Sequence, residues 1–235
     1  MSRPTILMIF AVAALTSAAL IVPTTSVAAQ NWTRVTYNHR PMVQGSGRVV
    51  RQNRPVGHFD RILIEGAEVV EVRLGTQYSL SIAADDNVLP LLTSEVEGGT
   101  VKLGSRGSYR TRGPVRVWVT MPNLESLAAS GSGSVAIDGV NNKQLALSLN
   151  GSGDIRAAGR TDQLNLSLNG SGSARLAGLA ARNADVGIYG SGDASVRTAG
   201  DLDARVVGSG TLRYVGQPAH VRRQRIGSGR IVAAN

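Results

Sequence analysis

The chain has 235 residues, no cysteine, and a formal net charge of +9 from 25 Lys and Arg against 16 Asp and Glu. Without cysteine there are no disulfides, no lipid-modified cysteine, no thiolate metal sites and no cysteine nucleophile. The positive charge is nearly all arginine, Lys102 and Lys143 being the only lysines, and it favours anionic partners such as lipid headgroups, teichoic-type polymers or acidic polysaccharide.

The first segment has the form of a signal peptide over residues 1–29. Arg3 precedes an apolar run from Ile6 to Val22, then Pro23 and the small residues Ser26-Val27-Ala28-Ala29 that suit leader cleavage. The run is near the shortest length for a membrane span, so a retained anchor is the alternative. Either way the chain is expected to be exported, to the periplasm, the outer surface or the medium. Residues 30–56, with Pro41, Gly45-Ser46-Gly47 and Pro55 and few alternating apolar positions, read as an extended lead-in.

From Phe59 a period of two begins: Ile62 and Ile64, then Val70, Val72 and Leu74, then Tyr78, Leu80 and Ile82. Such alternation predicts short strands with one inward face, and Gly66 and Gly75 punctuate them as turns. Residues 85–92 suit one short helical turn. Val101 and Leu103 predict another strand, Ser105 to Pro114 a basic loop, and Val115, Val117 and Val119 the clearest strand of this half.

The second half is an array. Gly-Ser-Gly occurs as Gly131-Ser132-Gly133, Gly151-Ser152-Gly153, Gly170-Ser171-Gly172, Gly190-Ser191-Gly192, Gly208-Ser209-Gly210 and Gly227-Ser228-Gly229, at offsets of 20, 19, 20, 18 and 19 residues. A fixed period near 19 is the mark of a solenoid, in which each coil buries its apolar face only against its neighbours. Two and four residues before each corner stand pairs such as Leu147 and Leu149; two and four after stand pairs such as Val135 and Ile137. Each coil therefore reads as a strand, a Gly-Ser-Gly corner, a second strand, a second glycine (Gly139, Gly159, Gly178, Gly200, Gly216) and a polar return such as residues 141–144. Stacked in register, such coils give an all-β, single-domain parallel β-helix over residues 57–235, with the array at 131–229. Glycine suits a corner because it tolerates positive φ and close approach, and the six serines are expected to form a column. The array lies out of register with the Gly45 copy.

The functional alternative for the tripeptide is a phosphate cradle or a set of nucleophiles. Nothing like G-x-x-x-x-G-K-[ST] follows any copy and none completes G-x-S-x-G, so no cofactor is expected. In the last coil Arg223 and Arg225 stand at inward positions, which predicts either a flipped strand or an open terminal cap; with Arg213, Arg222 and Arg230 they would form a basic end. Three residues past each corner stand Arg156, Arg175, Ser195 and Arg213, an outward column suited to a repeating polyanion. Asp154 and Asp193, two coils apart, are the one acidic pair at a separation resembling that of inverting glycosidases. His39, His58 and His220 are scattered and predict no metal site, while adjacent Asp85 and Asp86 are a weak cation candidate. Trp32, Trp118, Tyr109, Tyr189 and Tyr214 are too dispersed to predict a sugar-stacking platform.

The order Phe59-Asp60-Arg61-Ile62, Ala84-Asp85-Asp86-Asn87-Val88, Glu97 to Leu103, Val117 to Leu124 and then serial Gly-Ser-Gly resembles the head GIN domain family, a domain of unknown function labelled as an auto-transporter adhesin. The resemblance spans roughly residues 48–233 and is specific because both order and period match. It implies a β-helix shaped like pectin-lyase-like and acyltransferase solenoids without their catalytic residues, and a role in adhesion or polysaccharide contact. Two functions are carried forward. One is a non-enzymatic envelope protein binding an anionic glycan, an envelope surface or a partner protein through Arg156, Arg175, Arg213, Arg222, Arg223 and Arg225. The other is a lyase or hydrolase on a pectate-lyase-like scaffold, which requires acids clustered with Arg or Lys on one face of adjacent coils. Nucleic acid is not expected, given export and the lack of interleaved aromatics; a homo-oligomer is left open.

Overall fold

The computed structural model describes residues 42–234, so the leader, its cleavage region and the first part of the lead-in lie outside the described residues. Two short strands come first, β1 (Val43–Gln44) and β2 (Val49–Arg54). The alternating apolar stretches follow as β3 (Arg61–Glu65), β4 (Val69–Leu74) and β5 (Ser79–Asp85). A single 3-10 turn at Leu89–Leu91 fulfils the short helical turn expected between 85 and 92. Then come β6 (Leu92–Glu97), β7 (Thr100–Ser105), β8 (Tyr109–Arg110), β9 (Arg116–Met121) and β10 (Ser126–Gly131). The array is β11 (Ser134–Gly151), β12 (Asp154–Gly170), β13 (Ser173–Gly190), β14 (Asp193–Thr198), β15 (Asp201–Gly208), β16 (Thr211–Val215), β17 (His220–Ile226) and β18 (Arg230–Ala233).

These strands wind as a parallel β-solenoid, as the period requires. Gly131, Gly151, Gly170, Gly190 and Gly208 are register partners in one column, and Gly227 continues it, a Cβ there standing 2.5 Å from Gly208 O. The residues before the corner form a leading sheet and those after it a trailing sheet. Inward side chains of both, including Leu147, Leu166, Ile155 and Val196, fill one continuous buried core. The polar return is not a loop: Asn141, Asn142 and Gln144 pair in register with Arg160, Thr161 and Gln163, which is why β11 to β13 run almost a full coil each.

The corner is itself hydrogen-bonded. Ser152 N donates to Gly131 O and Asp154 N to Gly133 O, both at 3.0 Å, and the pattern repeats up the stack. A corner amide is thus already given to the neighbouring coil, which removes the donors a phosphate cradle needs. Gly151 has φ +128°, and a Cβ on Gly153 would stand 2.5 Å from Gly133 O. Both glycines are required, one by backbone angle and the other by the approach of the next carbonyl.

The first half differs from the simple stack in its order. The column of corners continues below Gly131 into Gly66-Ala67-Glu68, so β3 and β4 form a coil and Gly66 is a corner rather than a plain turn. The coil beyond it comes from later sequence: β7 pairs with β3 and β9 with β4, both parallel, with segment 106–114 replacing the corner; this stretch, expected as a loop, carries the short strand β8. Antiparallel strands close this end, β6 on β7, β5 on β9, and β2 on β5. The β6–β7 hairpin turns on Gly98 and Gly99, both with positive φ, the geometry of a two-residue hairpin turn. Within the lead-in, β1 pairs with β8 and β2 with β5, so residues 43–54 are strand edges of the solenoid rather than a free arm.

The corner geometry makes a direct prediction. Gly153→Ala should lower stability by about 1–3 kcal/mol through overpacking against the adjacent carbonyl, whereas Ser152→Ala, one residue away and exposed, should stay within about 0.5 kcal/mol. Urea unfolding midpoints of the two variants are the measurement; equal midpoints would contradict a packing role for the glycine.

Candidate functional site

Outward residues stand in straight rows because every coil repeats the same register. On the trailing sheet one row runs Ala136, Arg156, Arg175, Ser195, Arg213, Val232. Arg156 and Arg175 are therefore neighbours one coil apart, and Arg213 follows two coils further on. Beside this row stand Ser134, Asp154, Ser173, Asp193, Thr211 and Arg230. Asp154 Oδ1 lies 3.3 Å from Arg175 Nη2, and Asp193 Oδ1 accepts the Thr211 amide at 3.0 Å. Arg156, Arg213 and Arg230 have no carboxylate within 4.0 Å among the described residues.

The six arginines singled out from the sequence are not one cluster. Arg222 points outward on the leading sheet, where Asp203 accepts its Nη1 hydrogen at 2.8 Å. Arg223 and Arg225 are register partners of the buried Ala204 and Val206, so they occupy inward positions without being buried, at the open end of the stack. The Arg223 guanidinium lies 5.4 Å above the Tyr214 ring and donates to its hydroxyl, while Arg225 Nη1 donates to Gly229 O at 3.3 Å. Strand β17 therefore keeps its face and sits on the end, which is the open-cap arrangement of the two expected.

The serine column is present as backbone, with all six side chains exposed, and Ser209 Oγ lies 3.1 Å from Ser228 Oγ. Asp154 and Asp193 are separated by Ser173 and are each engaged as described, with Asp193 fully on the open face. Asp86 accepts from Ser46 Oγ at 2.5 Å and from Arg48 Nε at 2.7 Å, and these donors hold its carboxyl below the usual range. It serves to pin the Gly45 turn. Trp118 carries Arg51 over its ring at 4.2 Å.

Sequence reasoning missed Glu68. It occupies the third corner position, where every later coil has glycine, and its side chain is only 4% exposed. Tyr109 from segment 106–114 donates to Oε1 at 3.5 Å, and Oε2 has no partner. Desolvation by burial pushes this carboxyl up, partly offset by its own backbone amide and by Tyr109; burial and the nearby carboxylate push Tyr109 up to about 12. The signal was one irregular corner with an acid where glycine recurs.

A parallel β-solenoid with its polar chemistry on flat outer rows is the class of protein these features define. The chain belongs to the family described as "Putative auto-transporter adhesin, head GIN domain", which matches residues 58–218. A solved structure of a "putative adhesin" from Bacteroides fragilis is 21% identical, covers 82% of this chain and 100% of its own, and has a TM-score of 0.65. A "putative lipid binding protein" from Parabacteroides distasonis is 25% identical, covers 83% and 100%, and has a TM-score of 0.51. A "putative adhesin" from Parabacteroides merdae is 18% identical over 83% and 99%, with a TM-score of 0.54. No curated protein matches the chain.

Glu68 yields a stability prediction with a definite sign. Its pKa is raised on folding, so its contribution to stability is fully present below the ordinary carboxylate value and is lost as pH rises through the folded value. Glu68→Gln should therefore raise the Tm at about pH 7.5 and leave it nearly unchanged at about pH 4. A lower Tm for the variant at the higher pH would mean that the ionised carboxylate is stabilised where it stands.

Proposed function

We propose that this protein is an exported, non-enzymatic adhesion module that binds an anionic polysaccharide along its trailing sheet. The observation that carries this reading is the register pairing of Arg156 with Arg175, continued by Arg213 in the same row. Parallel coils repeat at about 4.8 Å, so a chain with regularly spaced carboxylates or sulfates meets the same guanidinium geometry more than once. Guanidinium groups suit such ligands because their planar fork donates two parallel hydrogen bonds to one oxyanion. The arrangement has surface and repetition and no enclosed couple of catalytic groups, which supports recognition over turnover. The family's description and the names of the two adhesin relatives support the same role. Attachment to an envelope surface, outside the cytoplasm, goes with the leader-like residues 1–29.

The test is binding of the protein to immobilised polygalacturonate and dextran sulfate, with neutral dextran and phosphatidylglycerol vesicles as separate arms. The expected result is retention on the two polyanions that falls steeply between about 50 and 500 mM salt, and falls again in an Arg156→Ala/Arg175→Ala/Arg213→Ala variant whose unfolding midpoint is unchanged. Retention indifferent to both salt and these substitutions would sink the reading, and preference for the vesicles would move the ligand from glycan to lipid headgroup.

A further inference from the structure

The leading sheet carries a different surface, on the other side of the corner from the arginine row. Its central outward row runs Ala128, Ser148, Ser167, Gly187, with Leu63 at one end and Arg205 at the other. Four small residues between two long ones leave a shallow trough of about 440 Å³ across the face. Its floor is the sheet itself and its one charged lining residue is Asp185, the register partner of Asn165.

One large side chain lies in this trough. Tyr189 is 42% exposed, an unusual exposure for the largest aromatic on the sheet. Its ring leans over its i−2 neighbour Gly187: a Cβ there would stand 2.9 Å from Tyr189 Cε2. The ring is thus laid against glycine backbone, in space that a Cβ at position 187 would crowd, and its outer side faces solvent. Beside it Ser167 Oγ accepts a hydrogen from Asn169 Nδ2 at 3.3 Å, and the same amide donates to Asn150 Oδ1 at 2.9 Å. The Ser167 hydroxyl thus has one lone pair engaged and keeps its own hydrogen and its second lone pair for a ligand.

From this geometry we infer that the trough is a saccharide subsite that takes an extended, uncharged, β-linked pyranoside chain, with Tyr189 as its stacking platform and Ser148, Ser167 and Asn165 as its hydrogen-bonding rows. A pyranose presents a C–H face that packs on an aromatic ring, whose face is electron-rich, and a rim of hydroxyls that both donate and accept. The trough offers these two chemistries side by side and lacks the cationic groups an anionic ligand needs. Arg205, at its end, is outside the lined surface. The coil repeat of about 4.8 Å is close to the length of one pyranose unit in an extended chain, so successive rings meet successive coils. The site is independent of the arginine row in both position and chemistry.

Calorimetric titration of the full chain with cellohexaose and with chitohexaose, both neutral and β-linked, tests the inference. At least one should bind with an affinity that does not change between about 50 and 500 mM salt and does not change in the Arg156→Ala/Arg175→Ala variant. Tyr189→Ala should weaken binding on the order of tenfold, and Tyr189→Phe should retain it. Gly187→Ala, which displaces the ring, should act like the loss of the ring, with circular dichroism showing the fold intact. Failure of both hexasaccharides to bind at millimolar concentration overturns the inference. So does binding indifferent to Tyr189→Ala, or Tyr189-dependent binding to neutral phosphatidylcholine vesicles in place of either sugar, which would make the occupant a lipid. Because the polyanion assay reads the arginine row alone, either site can fail without the other.

Discussion

The distance between one corner and the next governs the structure. Parallel strands pair at about 4.8 Å, and the bend must hold that spacing while the chain reverses direction around the core. At Gly153 the next carbonyl fills the space a side chain would occupy. The inside of the coil is tolerant by comparison: inward positions hold residues as different as Ala157 and Tyr214, both buried, because neighbouring coils adjust volume among themselves. A deleted core methyl costs on the order of 1 kcal/mol and is felt locally. An added corner methyl pushes on backbone that carries the ladder of two coils at once, so the corner tolerates least and repeats most faithfully.

Once the corners fix the register, outward residues are freed from any part in winding. Each coil presents one set of polar side chains before its bend and another after it, and stacking turns each set into a row. In the coil around Gly151, Ser148 and Asn150 precede the bend, and Asp154 and Arg156 follow it. In that coil the same backbone event thus puts neutral hydroxyl and amide groups on one sheet and charged groups on the other. Solenoids make extended concave or flat surfaces in this way, and single substitutions in an outward row change chemistry without changing fold.

The array was legible because its period, its glycines and its alternation all state the same register. The first half was not, although its strands β3, β4, β5, β7 and β9 fall where the alternation puts them. Alternation specifies which face of a strand is inward and says nothing about which strand lies beside it. The chain lays down β3 and β4, leaves to build the antiparallel end, and returns with β7 and β9 to the far side of that coil before β10 takes up the near side. Gly66-Ala67-Glu68 hid its corner by lacking the serine and the second glycine, and β6 was hidden by having only Leu92 and Val96 as alternating apolar positions. Its hairpin turn, Gly98-Gly99, was the available sign. On the surface, the arginine row followed from counting three residues past each corner, whereas the scatter of Arg222, Arg223 and Arg225 over different faces depended on where the stack ends. Tyr189 gave no sign of its own; only the glycine two residues before it on the same face shows how the ring is laid down.

The two ends of the stack face the same hazard, since any last strand presents unpaired amides and carbonyls to another chain. At the first end the answer is topological, with β2, β5 and β6 turning antiparallel so that the coil geometry does not continue. At the last end the strand direction is unchanged and the answer is electrostatic. Arg223 and Arg225 stand over Ala204 and Val206, where a further coil would bring aliphatic side chains. Stacking another coil there would strip water from two guanidinium groups with no carboxylate at either position, at a cost of several kcal/mol. Left at the end, the same groups stay solvated and one of them folds down onto Tyr214. On the leading sheet, β17 thus presents inward side chains that the core cannot accept, so this edge, like the register, is written in individual residues.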